Sequence, residues 1–135
     1  MKTWQAVILV LAFAFAMLGQ AMAQKAGNAS VPKYDVSTEA KFKGVIDEVH
    51  DRQCPISGGL GSHFMLKLSD GKIVEVHLAS TKFVKSYELV FNKGDEVEVT
   101  GSKVDFEGAE AILAREVKRG NDDFVFRDPQ GKPIW

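Results

Sequence analysis

The segment HFMLKLSDGKIVEVHL, residues 63–78, decides the fold. Phe64, Leu66 and Leu68 alternate along its first half, and Val74, Val76 and Leu78 along its second. A period of two is that of a strand with one buried face. Ser69-Asp70-Gly71 between them predicts a hairpin with a three-residue bulge turn and Gly71 in the left-handed position. Both apolar sets serve one core, and directly opposed residues share a face of the sheet, so the numbers of opposed residues must have an even sum. This loop then sets Leu68 opposite Lys72, Leu66 opposite Val74, Phe64 opposite Val76, and His63 opposite His77.

Working outward, the period stays near two. Ala40–His50 reads as a first strand, with a bulge at Gly44 turning Phe42, Val45 and Val49 to the core. Asp51–Gly61 (DRQCPISGGLG) reads as a glycine-rich loop. After the hairpin, Phe83, Val84, Tyr87, Val90 and Phe91 recur at helical spacing behind a Ser80 or Thr81 cap, predicting a short helix near Thr81–Glu88. Asp95–Phe106 is a fourth strand with Val97 and Val99 inward and a bend at Gly101. Glu107-Gly108 turns the chain into Ala109–Lys118, and Gly120-Asn121-Asp122 opens a last hairpin through Phe124-Val125-Phe126. The expected core is Phe42, Phe64, Leu66, Val74, Val76, Val97, Val99 and Leu113.

The chain has 135 residues, 45% hydrophobic and 26% charged, with a formal net charge of -1, which suits one globular domain. Lys2, the apolar run Ala6–Leu18 and the small-x-small site Ala21-Met22-Ala23 have the layout of a secretory signal peptide. The run is too short for a spanning helix, which needs about 20 apolar residues. The expected organisation is a signal peptide over 1–23, a flexible lead-in over 24–38, and one domain over 39–135. A periplasmic or secreted protein is expected after cleavage near Ala23, with no transmembrane segment left in the mature chain. Cys54 is the lone cysteine, so no intramolecular disulfide forms. In an oxidising compartment such a thiol is buried, engaged with a ligand, or paired between chains.

Three strands, a short helix and two more strands is the order of a five-stranded OB-fold-like barrel, here with a C-terminal β-hairpin and tail. The segment Lys93–Gly101 (KGDEVEVTG) resembles the turn and fourth strand common in that fold. The closing Arg127-Asp128-x-x-Gly131-x-Pro133-x-Trp135 is similar to the tail of small exported bacterial OB-fold proteins of mostly unassigned function. The resemblance implies location and an all-β architecture, and no catalytic residue comes with it.

The side of the hairpin away from the core carries His63, Met65, Lys67, Ile73, Glu75 and His77. Single-stranded nucleic acid on that side needs aromatic platforms and a basic groove. One lysine, no aromatic ring beyond the histidines, and 17 basic against 18 acidic residues argue against nucleic acid; single-stranded nucleic acid or an oligosaccharide stands as the last alternative ligand. His63 and His77 are expected as cross-strand neighbours with Cβ atoms about 4.5–5.5 Å apart. His50 ends the neighbouring strand, and Cys54 hangs in the loop beside it. Two imidazoles and a thiolate suit copper or zinc, with haem a less favoured alternative. Glu48-Val49-His50 and Glu75-Val76-His77 repeat one tripeptide, setting a carboxylate to orient each ring. No nucleophile and base pair up, so no enzyme is expected. The primary expectation is an exported binding module for a protein or envelope component. The alternative is a metal carrier using His63, His77, Cys54 and His50.

Overall fold

The computed structural model describes residues 30–135, so the expected signal peptide and the first part of the lead-in lie outside the described residues. A single 3-10 turn, Val36–Thr38, precedes six strands and a helix. The strands are β1 (Glu39–Cys54), β2 (Gly59–Leu68), β3 (Ile73–Ser80), β4 (Glu96–Phe106), β5 (Ala109–Arg119) and β6 (Asp122–Val125), and α1 (Thr81–Ser86) follows β3. The sheet runs β3-β2-β1-β4-β5-β6, and a parallel β3–β5 pairing closes it into a ring. The protein is therefore all-β, a closed barrel with one short helix. Closure gives each of β1 to β5 a neighbouring strand on both sides.

The hairpin register is the one derived from the alternation: His63 pairs with His77, Phe64 with Val76 and Leu66 with Val74. The Leu68 amide donates to the Lys72 carbonyl, and Gly71 sits at φ +85. Phe64, Leu66, Val74, Val76, Val97, Val99 and Leu113 are buried, and Phe42 packs half-buried at the rim. Ser80 caps α1, its hydroxyl accepting the Phe83 amide at 3.3 Å. Val84 and Phe91 are buried from this segment, whereas Tyr87 and Val90 stay exposed because α1 ends at Ser86 and its helical stripe ends with it.

The first strand departs from its expected course in two ways. Its irregularity falls between Ile46 and Glu48, after the glycine, so Ile46 enters the core while Val45 and Val49 face out. Gly44 serves close approach, since a Cβ there would strike the Lys67 carbonyl on β2. The strand also continues through the segment read as a loop. Asp51, Arg52, Gln53 and Cys54 pair with Ser62, Gly61, Leu60 and Gly59, leaving only Pro55–Gly58 as the turn.

Gly101 marks the expected bend, where the β4–β5 register shifts between Thr100 and Gly101. A Cβ there would run into the Leu113 carbonyl and the Ile112 side chain on β5. Gly101→Ala should therefore cost about 1–3 kcal/mol, the usual range for overpacking. A urea melt reads this directly, and an unchanged midpoint would mean that the strands are not in such close contact.

The tail folds back on the barrel. Phe126 is buried, and the Arg127 guanidinium donates to the Gly131 carbonyl at 2.9 Å. The Tyr34 and Trp135 rings lie 5.4 and 5.9 Å from that guanidinium. Burial pulls the Arg127 pKa down. Trp135 packs against the core, so the closing motif fastens the chain end to the barrel.

Candidate functional site

The histidine side of the hairpin is covered, contrary to its expected exposure. His63 is 0% exposed, and His77 and Cys54 are 2% exposed each. Cys54 and Phe106 form a second apolar cluster with Ala111, Ile56 and Val104. The Phe106 ring, at the tip of the β4–β5 hairpin, stands edge-on to His77 at 5.5 Å. Strand parity placed these rings away from the main core, and a second layer then buried them.

The neighbouring strands bring the donors together. Cys54 ends β1, His63 lies on β2 and His77 on β3, and one donor atom from each falls within 4.8 Å of the others. Cys54 Sγ stands 3.5 Å from His77 Nδ1. Around a single ion, with metal–sulfur near 2.3 Å and metal–nitrogen near 2.0 Å, donor atoms stand about 3.3–3.8 Å apart. His63 and His77 meet at right angles with ring centroids 4.5 Å apart. Gly61 makes room for this, because a Cβ at that position would meet Ser57 Oγ and the His63 ring.

His63 is the unusual member. Neither ring nitrogen has a hydrogen-bond partner, although the residue is completely buried. Burial, and then the His77 ring beside it, pull its pKa down to about 4, so it is neutral at pH 7 with a lone pair available. An unpaired buried polar atom costs about 1–3 kcal/mol, and a folded protein tolerates few.

His50 is not part of the triangle. Its register partner is His63, and the two rings stack at 5.5 Å with 23° between their planes. The His50 side chain remains partly exposed and reaches Glu75 Oε2 through Nε2 at 3.2 Å. Glu75 is the hub of the surrounding shell. Its Oε1 lies 2.8 Å from His77 Nε2, off line for a hydrogen bond, and takes a 2.6 Å bond from Arg52 Nη2. Burial disfavours the Glu75 carboxylate, but His77 and Arg52 outweigh it and hold its pKa well below the usual carboxylate range. Of the two carboxylates expected to orient rings, Glu75 bonds to the His50 ring and only stands beside that of His77, while Glu48 stays exposed at 4.0 Å from His50. Arg52 was missed because its stretch read as a loop. Only the extension of β1 aims it at Glu75.

A cleft of about 420 Å³ opens beside this shell, with Arg52, Met65, Glu75, Phe106 and Glu107 among its walls. A larger groove, about 840 Å³, lies elsewhere, along Lys43–Val45, Lys67–Ser69 and Glu96–Glu98, and none of the three donors lines it.

The family model of the MamS/MamX magnetosome protein family matches residues 38–124. The chain belongs to that family. No curated protein matches the chain. Of the expected resemblance, this supports a small bacterial family, MamS/MamX. Cys54, His63, His77, Glu75 and Arg52 all fall inside the matched segment, whereas the Arg127–Trp135 tail lies beyond it. Among the described residues of this MamS/MamX chain, no helix is long and apolar enough to cross a membrane.

Proposed function

We propose that this MamS/MamX-family protein is an exported, non-enzymatic magnetosome module whose OB-type barrel binds a soft or borderline metal ion through Cys54, His63 and His77. The observation that carries the reading is His63, fully buried with both ring nitrogens unpaired and within 4.8 Å of two further donors. Binding an ion would satisfy one of those nitrogens and explain why the fold tolerates the ring. The thiolate and two imidazoles select zinc or copper over magnesium and calcium, which prefer oxygen donors. The rings have almost no exposed face, which suits an ion better than a macrocycle such as haem. The barrel assignment rests on the ring closure through β3–β5 and on α1 lying between the third and fourth strands.

Competition titrations against chelators with zinc and copper(I), on the reduced protein, test this. One equivalent should bind. Cys54→Ser or His77→Ala should weaken binding by about 100-fold or more, since a structural zinc site is worth roughly 10–16 kcal/mol shared among its ligands. His50→Ala, outside the triangle, should cost no more than about tenfold to 100-fold, as for supporting residues around metal ligands. No saturable binding at micromolar metal would overturn the reading.

A protein or envelope partner is a compatible second role, favoured by the exposed apolar side chains Tyr87, Val90, Val125 and Ile134. Three of these residues fall on or beside a shallow depression lined by Phe83, Leu89 and Phe124. Such exposed patches commonly mark interaction surfaces.

A further inference from the structure

The donor set contains three ligands and no fourth. Among the described residues, the group of donors close enough to share an ion is Cys54, His63 and His77 alone. Glu75, the nearest carboxylate, is engaged by Arg52 and faces Nε2 of His77, whereas Cys54 faces Nδ1. Zinc takes four ligands and would need water in the last place. Burial of all three donors under Phe106 and its apolar neighbours works against that water. Two imidazoles and a thiolate around a trigonal position instead describe an electron-transfer copper centre, and copper also heads the order of divalent-metal affinity.

Resting on the metal-site reading above, we propose that the ion is copper and that Cys54, His63 and His77 hold it as a trigonal one-electron redox centre. The ligands come from three consecutive hydrogen-bonded strands of a closed barrel, so none can swing away when the oxidation state changes. Copper(I) and copper(II) must then share one compromise geometry, which keeps the rearrangement on electron transfer small. The Glu75 carboxylate stands 2.8 Å from Nε2 of His77, which leaves Nδ1, the nitrogen that faces Cys54, for ligation. Cys54, as the lone cysteine, has no partner within the chain with which to form a disulfide when copper(II) withdraws charge from the thiolate.

The Cys54 thiol gives up its proton once, when copper is loaded. After that, copper(I) bound by the thiolate and two neutral imidazoles passes one electron to a one-electron acceptor and becomes copper(II) with the same ligands. No bond forms or breaks, and no proton moves. The His50 ring, stacked on His63 and partly exposed, gives a redox partner contact with the centre without admitting water to it.

The full chain, loaded anaerobically with one equivalent of copper(I) and oxidised with ferricyanide, tests the proposal. An intense thiolate-to-copper(II) charge-transfer band should appear in the visible, bleach with ascorbate, and return through repeated cycles with copper retained. The band should be lost in Cys54→Ser and in His77→Asn, with folding of each variant checked by its circular dichroism. His50→Ala should keep the band and slow its formation several-fold. Stoichiometric metal binding without that band, or with copper released on oxidation, would overturn the redox centre and leave the metal site standing. Tight zinc binding that copper(I) does not displace would do the same. Failure to bind either metal would remove both readings.

Discussion

His63→Leu should make the metal-free protein more stable while destroying its metal site. The imidazole is completely buried and its two nitrogens have no partners, so the apo fold carries their desolvation without return. A leucine of comparable bulk removes both atoms and keeps an apolar filling. The gain should be about 1–3 kcal/mol, the range for one unsatisfied buried group after some loss of packing. Metal affinity should fall by about 100-fold or more in the same variant. The pH profile separates this cause from ordinary repacking. His63 has a folded pKa of about 4 against an ordinary value of 6.5, so the unfolded chain takes up its proton first as pH falls. The contribution is fully present above 6.5 and declines through the interval from 6.5 to 4, by roughly 3 kcal/mol at most. Glu75 works in the window below that one. Its depressed carboxyl stabilises the fold above the unfolded carboxylate pKa and loses its contribution as pH drops further. Wild-type apoprotein should therefore lose more stability between pH 7 and 4.5 than His63→Leu does, and both should fall further once carboxylates of the unfolded chain begin to protonate. Equal slopes in the two proteins, or a variant less stable at pH 7, would show that His63 is satisfied in solution.

Phe64→Ala should cost about 3–5 kcal/mol, the usual range for removing a buried aromatic ring. Phe64 is fully buried on β2 at the centre of the barrel, opposite Val76, with the Phe91 ring 5.5 Å away. Its removal leaves a cavity between strands that ring closure holds apart, so little collapse is available to reduce the loss. Against a total stability of about 5–15 kcal/mol for a domain, that is a large fraction. Phe64→Leu should cost much less, because most of the volume remains. Urea denaturation of the three proteins, read by near-ultraviolet circular dichroism, checks the order. A Phe64→Ala midpoint close to wild type would mean that the core is assigned to the wrong face.

His63 and Phe64 are adjacent residues with opposite fates, and the two predictions together show how far alternation carries. Parity along residues 63–78 separates the apolar set from the histidine set, and the Ser69-Asp70-Gly71 turn sets the pairing. These are local rules, since side chains alternate by backbone geometry and a three-residue turn leaves one register. The His63–His77 contact was legible from them, as were the core positions on β2, β3 and β4, and the cap was narrowed to Ser80 or Thr81. The first strand was harder. Proline and glycines in residues 55–61 have the composition of a loop, yet Gly59 and Gly61 extend β2 and pair with Cys54 and Arg52.

What the sequence by itself determined is the period, the turns and which residues share a face, because those depend on near neighbours along the chain. Tertiary structure alone decided that the histidine face is dry. That required Phe106, more than 25 residues from His77 in sequence, to arrive on the β4–β5 hairpin, and Ala111 to come alongside β3 through the parallel closure with β5. It also decided which donors meet. Cys54 joins His63 and His77 because β1 stays paired to its end, and His50 is left at the rim, stacked on the site. Burial is a property of everything that packs over a residue, and alternation within one strand carries no information about a layer supplied by another.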